Sequence, residues 1–314
     1  MIITILVVIF NIFLLIFPQI VLAAARDGLM LWFNNVLPSL LPFMIATNML
    51  ILLGFVGLVG AVLSPVMRVL FKLPGAAGFG LITGLTSGYP MGAKTVADLK
   101  RAGQLSTGEA QHLLAFSNNA GPLFILGVVG IGLFSSARFG YVLWAAHVLA
   151  ALILGVILRP AEGREHSEFE PGKVKESFWK YRSISGAQTP GRVLGEAVKN
   201  AMESITFVGG LIIFFSVVVA VVQNLGLPDS PFFGVLAGII EVTGGVRQMA
   251  TQDSSLNLRG SVAFIVAFGG FSVHAQSFHF TEGTGIKVVP YLLAKALHGV
   301  IAATLTVILW SFLQ

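Results

Sequence analysis

The chain has 314 residues, of which 55% are hydrophobic and only 11% are charged, and its mean hydropathy is +0.88. Soluble domains average about 25% charged residues, so this composition excludes an ordinary water-soluble protein and predicts one that lies in a bilayer. The net charge of +5 comes without a basic stripe of interleaved aromatic residues, which argues against a nucleic-acid partner, and the lack of cysteine excludes disulfides and thiolate metal sites.

Apolar runs follow one another along most of the sequence, at residues 1–25, 36–64, 122–158, 201–227, 231–246, 260–280 and 288–313. A spanning helix needs about 20 apolar residues, so these runs predict an all-α polytopic membrane protein with about eight membrane-embedded segments. We interpret residues 1–25 as the first membrane helix rather than a cleaved signal peptide, because no basic residue precedes the run, although its small residues at 23–25 would suit a signal peptidase.

The sequence from Gly88 to Gly92 predicts a helix break at membrane depth, because it places Pro90 between two glycines. Gly80 and Gly84, which precede it at a spacing of four, indicate a packing face instead. Such a break must line protein or water, and its free helix ends attract ions. The segment is therefore a candidate binding site.

Asn118 and Asn119 are the next polar residues in an apolar setting, in the sequence AFSNNAGPLF at 115–124. Their side chains could contact a polar solute. They could equally cap a helix that ends before Gly121 and Pro122.

A hydrophilic stretch covers residues 159–200 and holds eight Lys or Arg residues against six Glu residues. The positive-inside rule predicts that it lies in the cytoplasm. It divides the chain into a first membrane half at 1–158 and a second membrane half at 201–314.

The two halves share a weak internal repeat. The first half has GLTSGYPMGAK followed by AFSNNAGPLF, and the second has GIIEVTGGVR followed by AFGGFSVHAQSF. The offset is 154 residues at Gly84 and Gly238 and 152 residues at Ala115 and Ala267. Transporters built from two such halves place discontinuous helices at corresponding positions near the bilayer midplane.

Glu241 lies in an apolar run of the second half, where an ionised carboxylate is costly unless it faces a cavity, a cation or a proton pathway. The alternative is a buried carboxylate paired with a local arginine or a backbone donor. Ser87 is its nearest counterpart in the first half, so the two repeats are not chemically identical.

Two cations, Lys94 and Arg247, lie just beyond the breaks in matching places. A pair of cations at the site would suit an anionic substrate, especially one with two carboxylates. The alternative is that both lie at the membrane interface with their charged ends in water.

Ser272, His274 and Gln276 are further donors and acceptors that could contact a solute or bond helices together. His274 and His279 lack a third ligand, so we expect no metal site. No hydrolase, nucleotide-binding or dinucleotide-binding pattern is present, which predicts a protein that is not an enzyme and has no cofactor. A coupling proton or sodium ion is left open.

The blocks GLTSGYPMGAKTVADL, EAQHLLAFSNNAGPLF, GIIEVTGGV and FGGFSVHAQ resemble the SpoVV (YlbJ) family of sporulation integral membrane proteins, within the nucleoside-recognition or Gate-domain group. The resemblance covers nearly the whole chain outside the hydrophilic stretch. It implies a fold similar to concentrative nucleoside transporters, with two inverted repeats that carry re-entrant hairpins near 76–94 and 231–248. It also implies substrate-binding positions, which are Ser87, Gly88, Tyr89, Lys94, Asn118, Asn119, Glu241, Thr243, Arg247, Ser272 and Gln276.

The function that the resemblance implies is transport of a small anionic or polar solute, namely dipicolinic acid during sporulation. The location would be the bacterial inner membrane, as a multi-pass protein in the mother-cell-derived membrane around the forespore. A nucleoside-type transporter and a non-transporting membrane scaffold in spore envelope assembly are the alternatives. The expected partners are a small-molecule anion and membrane lipid, with no nucleic acid, and a homo-oligomer is left open.

Overall fold

The computed structural model describes residues 2–53, 55–159, 189–224, 226, 230–251 and 256–313, and every regular element in them is helical. Four helices are long and apolar enough to cross a membrane, and a bent helix pair makes a fifth candidate. The shortest of the four has 21 residues, which at about 1.5 Å per residue matches the ~30 Å hydrocarbon core. The prediction of an all-α polytopic membrane protein is confirmed.

The apolar helices of the described residues are of two lengths, and the count of about eight embedded segments stays a prediction. The four long candidates are Ala137–Ile157, Pro190–Gln223, Val288–Ser311 and Asn257–Thr281, and the last of these has a break at Gly269. The shorter apolar helices have 10–17 residues, and they are Leu40–Leu52, Leu58–Phe71, Ala77–Thr86, Leu123–Leu133 and Pro231–Ile240.

The sequence predicts a single membrane helix at residues 1–25. The structure instead has a pair of helices in this region, bent by 104° relative to each other. Pro18 begins the second helix, and Phe17 before it has a non-helical backbone with φ −118° and ψ 53°. A proline starts a helix readily and disfavours helical backbone in the residue before it. The helical segments of this region are Ile2–Ile16, Pro18–Leu31, the π-helix Trp32–Val36, Leu37–Leu52, Phe55–Val66 and the π-helix Met67–Phe71.

A helical hairpin follows in each half. The first hairpin consists of Ala77–Thr86 and Met91–Arg101, and the second of Pro231–Ile240 and Val242–Ala250. Both are antiparallel, since a side-chain carbon on Gly80 would face Leu99 and one on Gly234 would face Met249.

A broken helix follows each hairpin. The first broken helix consists of Thr107–Ser117 and the π-helix Leu123–Leu133, and its break is the non-helical segment at 118–121. The second broken helix consists of Leu256–Phe268 and Gly270–Thr281, and it breaks at Gly269, where φ is +96°.

A long helix completes each half, Ala137–Ile157 in the first and Val288–Ser311 in the second. The order of hairpin, broken helix and long helix therefore occurs twice. This order agrees with the internal repeat in the sequence, while the inverted orientation of the two repeats stays a prediction.

The hydrophilic stretch at 159–200 lies largely outside the described residues. Its last part, from Pro190, already belongs to the 34-residue helix Pro190–Gln223. At about 1.5 Å per residue this helix exceeds the ~30 Å hydrocarbon core, so its polar first turns extend beyond the apolar layer. The cytoplasmic location of this stretch and the division of the chain around it stay predictions.

The glycines of the first hairpin seat it on the break of the first broken helix. A side-chain carbon at Gly84 or Gly92 would overlap the carbonyl oxygen of Ser117, and one at Gly88 would lie against the backbone of Gly121. Gly88 also has φ +81°, a backbone conformation that only glycine adopts readily. The bare face is thus a packing seam, and what it packs against is the helix break.

Candidate functional site

An open cavity lies where the two hairpin tips and the two broken helices meet. Its apolar wall includes Val36 and Leu40 near the N-terminus, Phe124 and Val128 of the first broken helix, and Val208 and Ile212 of the long helix Pro190–Gln223. Its polar lining comes from both halves of the chain and consists of Asn35, Tyr89, Glu241, Thr243, Ser272 and Gln276.

Glu241 lies at the tip of the second hairpin, is only 2% exposed and lines the cavity. Its carboxylate accepts hydrogen bonds from the backbone N–H groups of Thr243 at 3.1 Å and Gly244 at 2.6 Å. It therefore caps the helix Val242–Ala250, whose N-terminal dipole end favours a negative group. The sequence left two interpretations of Glu241 open, a carboxylate that faces a cavity and a buried carboxylate bound to a backbone donor. The structure has both features at once.

Tyr89 brings the first hairpin tip to the cavity. Its backbone N–H donates to the carbonyl of Asn119 at 2.5 Å, which ties the tip to the helix break. Its ring lies 6.4 Å from that of Phe124. Its hydroxyl is buried and has no hydrogen-bond partner among the described residues, so it can donate to a solute.

Three more predicted residues line the cavity, namely Thr243 of the second hairpin and Ser272 and Gln276 of the second broken helix. Each is less than 5% exposed. The Ser272 hydroxyl has no hydrogen-bond partner in the described part of the chain. A buried polar group without a partner is costly, so an open donor beside a cavity is suited to a ligand or to water.

The other uncharged predicted residues support the cavity rather than line it. Ser87 lies 3.2 Å from the Thr47 hydroxyl, and Gly88 packs against the break at 118–121. Asn119 accepts from Tyr89 through its backbone and donates to the Phe116 carbonyl through its side chain at 2.7 Å.

Asn118 does not face the cavity either. Its side-chain amide donates to the hydroxyl groups of Ser277 at 2.8 Å and Tyr291 at 2.7 Å. The break of the first broken helix is thereby bonded to the second broken helix and to the helix Val288–Ser311.

The structure does not bring the two predicted cations to the cavity. Lys94 forms an ion pair with Asp98 at 3.1 Å, one turn further along its own helix. Arg247 is exposed. This placement agrees with the alternative that both charged ends lie at a polar surface.

Sequence reasoning missed the cation that is buried next to the break. Lys295 is 1% exposed, and its amine donates to the carbonyl of Asn118 at 2.8 Å. His298, on the same helix, lies 2.9 Å from this amine. The signal was present, because Lys295 is an isolated charge in an apolar run, the same feature that singled out Glu241.

Comparisons with known proteins agree with this architecture. The family model described as nucleoside recognition (Gate) matches residues 33–135, which include the first hairpin and the first broken helix. The chain is 36% identical over 320 residues to the sporulation integral membrane protein YlbJ of Bacillus subtilis (strain 168), an alignment that covers 94% of this chain and 78% of the relative. No solved structure matches the chain.

Proposed function

Since the chain belongs to the family of the sporulation integral membrane protein YlbJ, we propose that it is a transporter of a small anionic or polar solute, and that this solute is dipicolinic acid. The observation that carries the proposal is the cavity at the junction of the hairpin tips and helix breaks. The membrane that it serves would be the mother-cell-derived membrane around the forespore, as the family resemblance implies.

The cavity supports transport because of the groups that it exposes in an apolar surrounding. Tyr89 and Ser272 offer hydroxyl groups without partners in the described residues, and Gln276 offers an amide. Polar groups at this depth are costly in the absence of water or a bound solute. Helix breaks at corresponding positions of two repeats are also where transporters bind their solutes.

Dipicolinic acid has a flat pyridine ring and two carboxylates, and the cavity has matching groups for most of it. The rings of Tyr89 and Phe124 offer aromatic faces, and the hydroxyl groups of Tyr89 and Ser272 can donate to carboxylate oxygens. Glu241 is the difficulty, because a third carboxylate would repel the dianion. The proposal therefore requires that Glu241 is protonated, or displaced from its backbone donors by a substrate carboxylate, when the dianion binds.

A nucleoside is the second candidate solute, and Glu241 favours it. Among the described residues that line the cavity, Glu241 is the charged one, and a carboxylate accepts hydrogen bonds from ribose hydroxyls or a base N–H. The description of the matching family model, nucleoside recognition, agrees with this candidate.

Binding to the purified full-length chain tests the proposal and separates the two solutes. We expect dipicolinate, but not uridine or adenosine, to raise the thermal unfolding temperature. Ser272→Ala should weaken dipicolinate binding by roughly fivefold, which corresponds to one lost hydrogen bond of about 1 kcal/mol. Ser261→Ala is the matched control, because the Ser261 hydroxyl is exposed and bonds only to its own helix at Asn257.

Glu241→Gln distinguishes the candidates by the direction of its effect. For a dianion the variant should bind more tightly than wild type, since repulsion is removed while the amide oxygen can still accept from the helix N–H groups. For a nucleoside it should bind more weakly. Folded protein that binds neither solute would contradict the transporter and favour the scaffold.

A further inference from the structure

A buried cluster of basic residues lies behind the break at 118–121 and takes no part in lining the cavity. It consists of Lys295 and His298 on the helix Val288–Ser311 and His147 on the helix Ala137–Ile157, and each is at most 1% exposed. In the described part of the chain no carboxylate forms an ion pair with Lys295. A cation in a membrane interior without a counter-ion is costly, so it indicates a functional role.

Hydrogen-bond geometry shows where the pair of Lys295 and His298 can hold one extra proton. The Nε2 atom of His298 lies 3.1 Å from the carbonyl of His147, which can only accept, so this nitrogen carries a hydrogen. Its Nδ1 atom lies 2.9 Å from the Nζ atom of Lys295. The pair is neutral when an uncharged amine donates to the bare Nδ1. It holds one extra proton when an ammonium donates to that nitrogen, or when a protonated Nδ1 donates to the amine. Both protonated forms carry a single positive charge, and the proton moves between Nζ and Nδ1.

Of the titratable groups on the neighbouring elements, His147 does not take this proton. The Nε2 atom of His147 accepts from the backbone N–H of Ala120 at 3.2 Å, which requires that His147 is neutral with its hydrogen on Nδ1. Tyr291 on the same helix bonds to Asn118. His274 of the second broken helix contacts the Tyr291 ring at 5.4 Å, and His112 of the first broken helix bonds to the carbonyl of Gly155.

The break connects this cluster to the cavity through four consecutive residues. The carbonyl of Asn118 accepts from Lys295, the carbonyl of Asn119 accepts from Tyr89, the N–H of Ala120 donates to His147, and Gly121 lines the cavity. A change in charge at Lys295 therefore acts on the same short segment that positions Tyr89.

We propose that the proton shared by Lys295 and His298 is the coupling ion of transport. This inference rests on the proposed function and extends it to a proton–anion symport. With the proton bound, the positive charge behind the break favours an anion in the cavity. When the proton leaves, a neutral amine and a neutral imidazole remain, and the anion is released.

Proteoliposomes with the full-length chain test the proposal. An acidic exterior, with the membrane potential clamped, should drive radiolabelled dipicolinate inward in step with internal acidification reported by a pH-sensitive dye. A gradient of one pH unit supports about tenfold accumulation for one coupled proton. Lys295→Gln and His298→Gln should each lose this accumulation yet retain exchange of internal for external solute. Lys287→Gln, which changes an exposed lysine just before the same helix, should accumulate like wild type.

Two results would overturn the proposal. One is wild-type accumulation in folded Lys295→Gln or His298→Gln protein. The other is loss of coupling in Glu241→Gln alone, which would assign the proton to that carboxylate.

If wild type transports no solute at all, the proposed function fails, and a separate measurement decides the shared proton. Nitrogen-15 NMR of histidine in the reconstituted chain should show the Nδ1 atom of His298 titrating as a single proton, and this titration should change in Lys295→Gln. A His298 signal that is the same in the variant would exclude the shared proton.

Discussion

The two hairpin tips occupy corresponding places in the two halves, but they differ in charge. The first tip is held by glycine backbone contacts with the break at 118–121 and by the neutral pair of Ser87 and Thr47. The second tip also packs on a helix break, since a side-chain carbon on Gly270 would lie 2.8 Å from the carbonyl oxygen of Gly238, but it carries the carboxylate of Glu241, which caps its own helix and borders the cavity. The two halves thus share the same order of helices but differ in charge at the hairpin tip. We expect this difference, Glu241 against Ser87, to determine how the site binds its solute.

This difference assigns different roles to the halves. The first hairpin is fixed to the helix break at several backbone positions, so we expect it to stay in place. The second hairpin presents a capping carboxylate that a ligand could replace, so we expect it to respond to the solute. The following changes test this comparison.

Gly84→Ala should have the largest effect on stability. Its side-chain carbon would overlap the Ser117 carbonyl oxygen, and backbone cannot move aside as a flexible side chain can. We expect a loss of about 3 kcal/mol, measured by thermal unfolding in detergent. Gly210→Ala is the matched control, because a side-chain carbon there meets nothing within 4 Å. Equal unfolding temperatures in the two variants would contradict the packing seam.

Glu241→Ala should cost about 2 kcal/mol, since it removes the cap from two backbone N–H groups. Ser87→Ala at the first tip should cost about 1 kcal/mol, because only the pair with Thr47 is lost. Unfolding curves of the two variants measure this difference directly. A larger loss of unfolding free energy in Ser87→Ala than in Glu241→Ala would contradict the expected difference between the two tips.

Tyr89→Phe should weaken solute binding by roughly fivefold, as expected for one lost hydrogen bond. Its stability should not fall, because the buried Tyr89 hydroxyl has no partner among the described residues. Titration calorimetry with dipicolinate checks the first expectation, and thermal unfolding checks the second. If Tyr89→Phe binds dipicolinate as tightly as wild type does, the Tyr89 hydroxyl does not contact the solute.

Lys94→Ala should have the smallest effect. The ion pair with Asp98 is partly exposed, and such pairs contribute about 0.5 kcal/mol. Because Lys94 does not line the cavity, dipicolinate affinity should stay within twofold of wild type. A tenfold loss of affinity would restore Lys94 as a substrate ligand.

Local sequence predicted the parts of the fold that depend on backbone chemistry. Proline and glycines predicted the break at 88–92, and helices end and begin on either side of it. Isolated polarity predicted Glu241, Ser272 and Gln276, which line the cavity, and the family resemblance implied Thr243, which lines it too.

The rest depends on contacts between distant segments, which spacing along the chain does not reveal. Lys94 and Arg247 match in the repeat, yet each helix turns its cation away from the cavity. Asn35 lines the cavity from a π-helix that no local pattern indicated. The role of Lys295 depends on Asn118, which lies 177 positions away.

Accessibility of a single cysteine tests the central claim most directly, because the chain has no cysteine of its own. Ser272→Cys places a thiol in the cavity, and Ser261→Cys places one at a half-buried position outside the cavity, on the other segment of the same broken helix. We predict that dipicolinate slows the reaction of a water-soluble thiol reagent with the first variant and leaves the second unchanged. Equal reaction rates with and without dipicolinate at Ser272→Cys would contradict the cavity as the site where this solute binds.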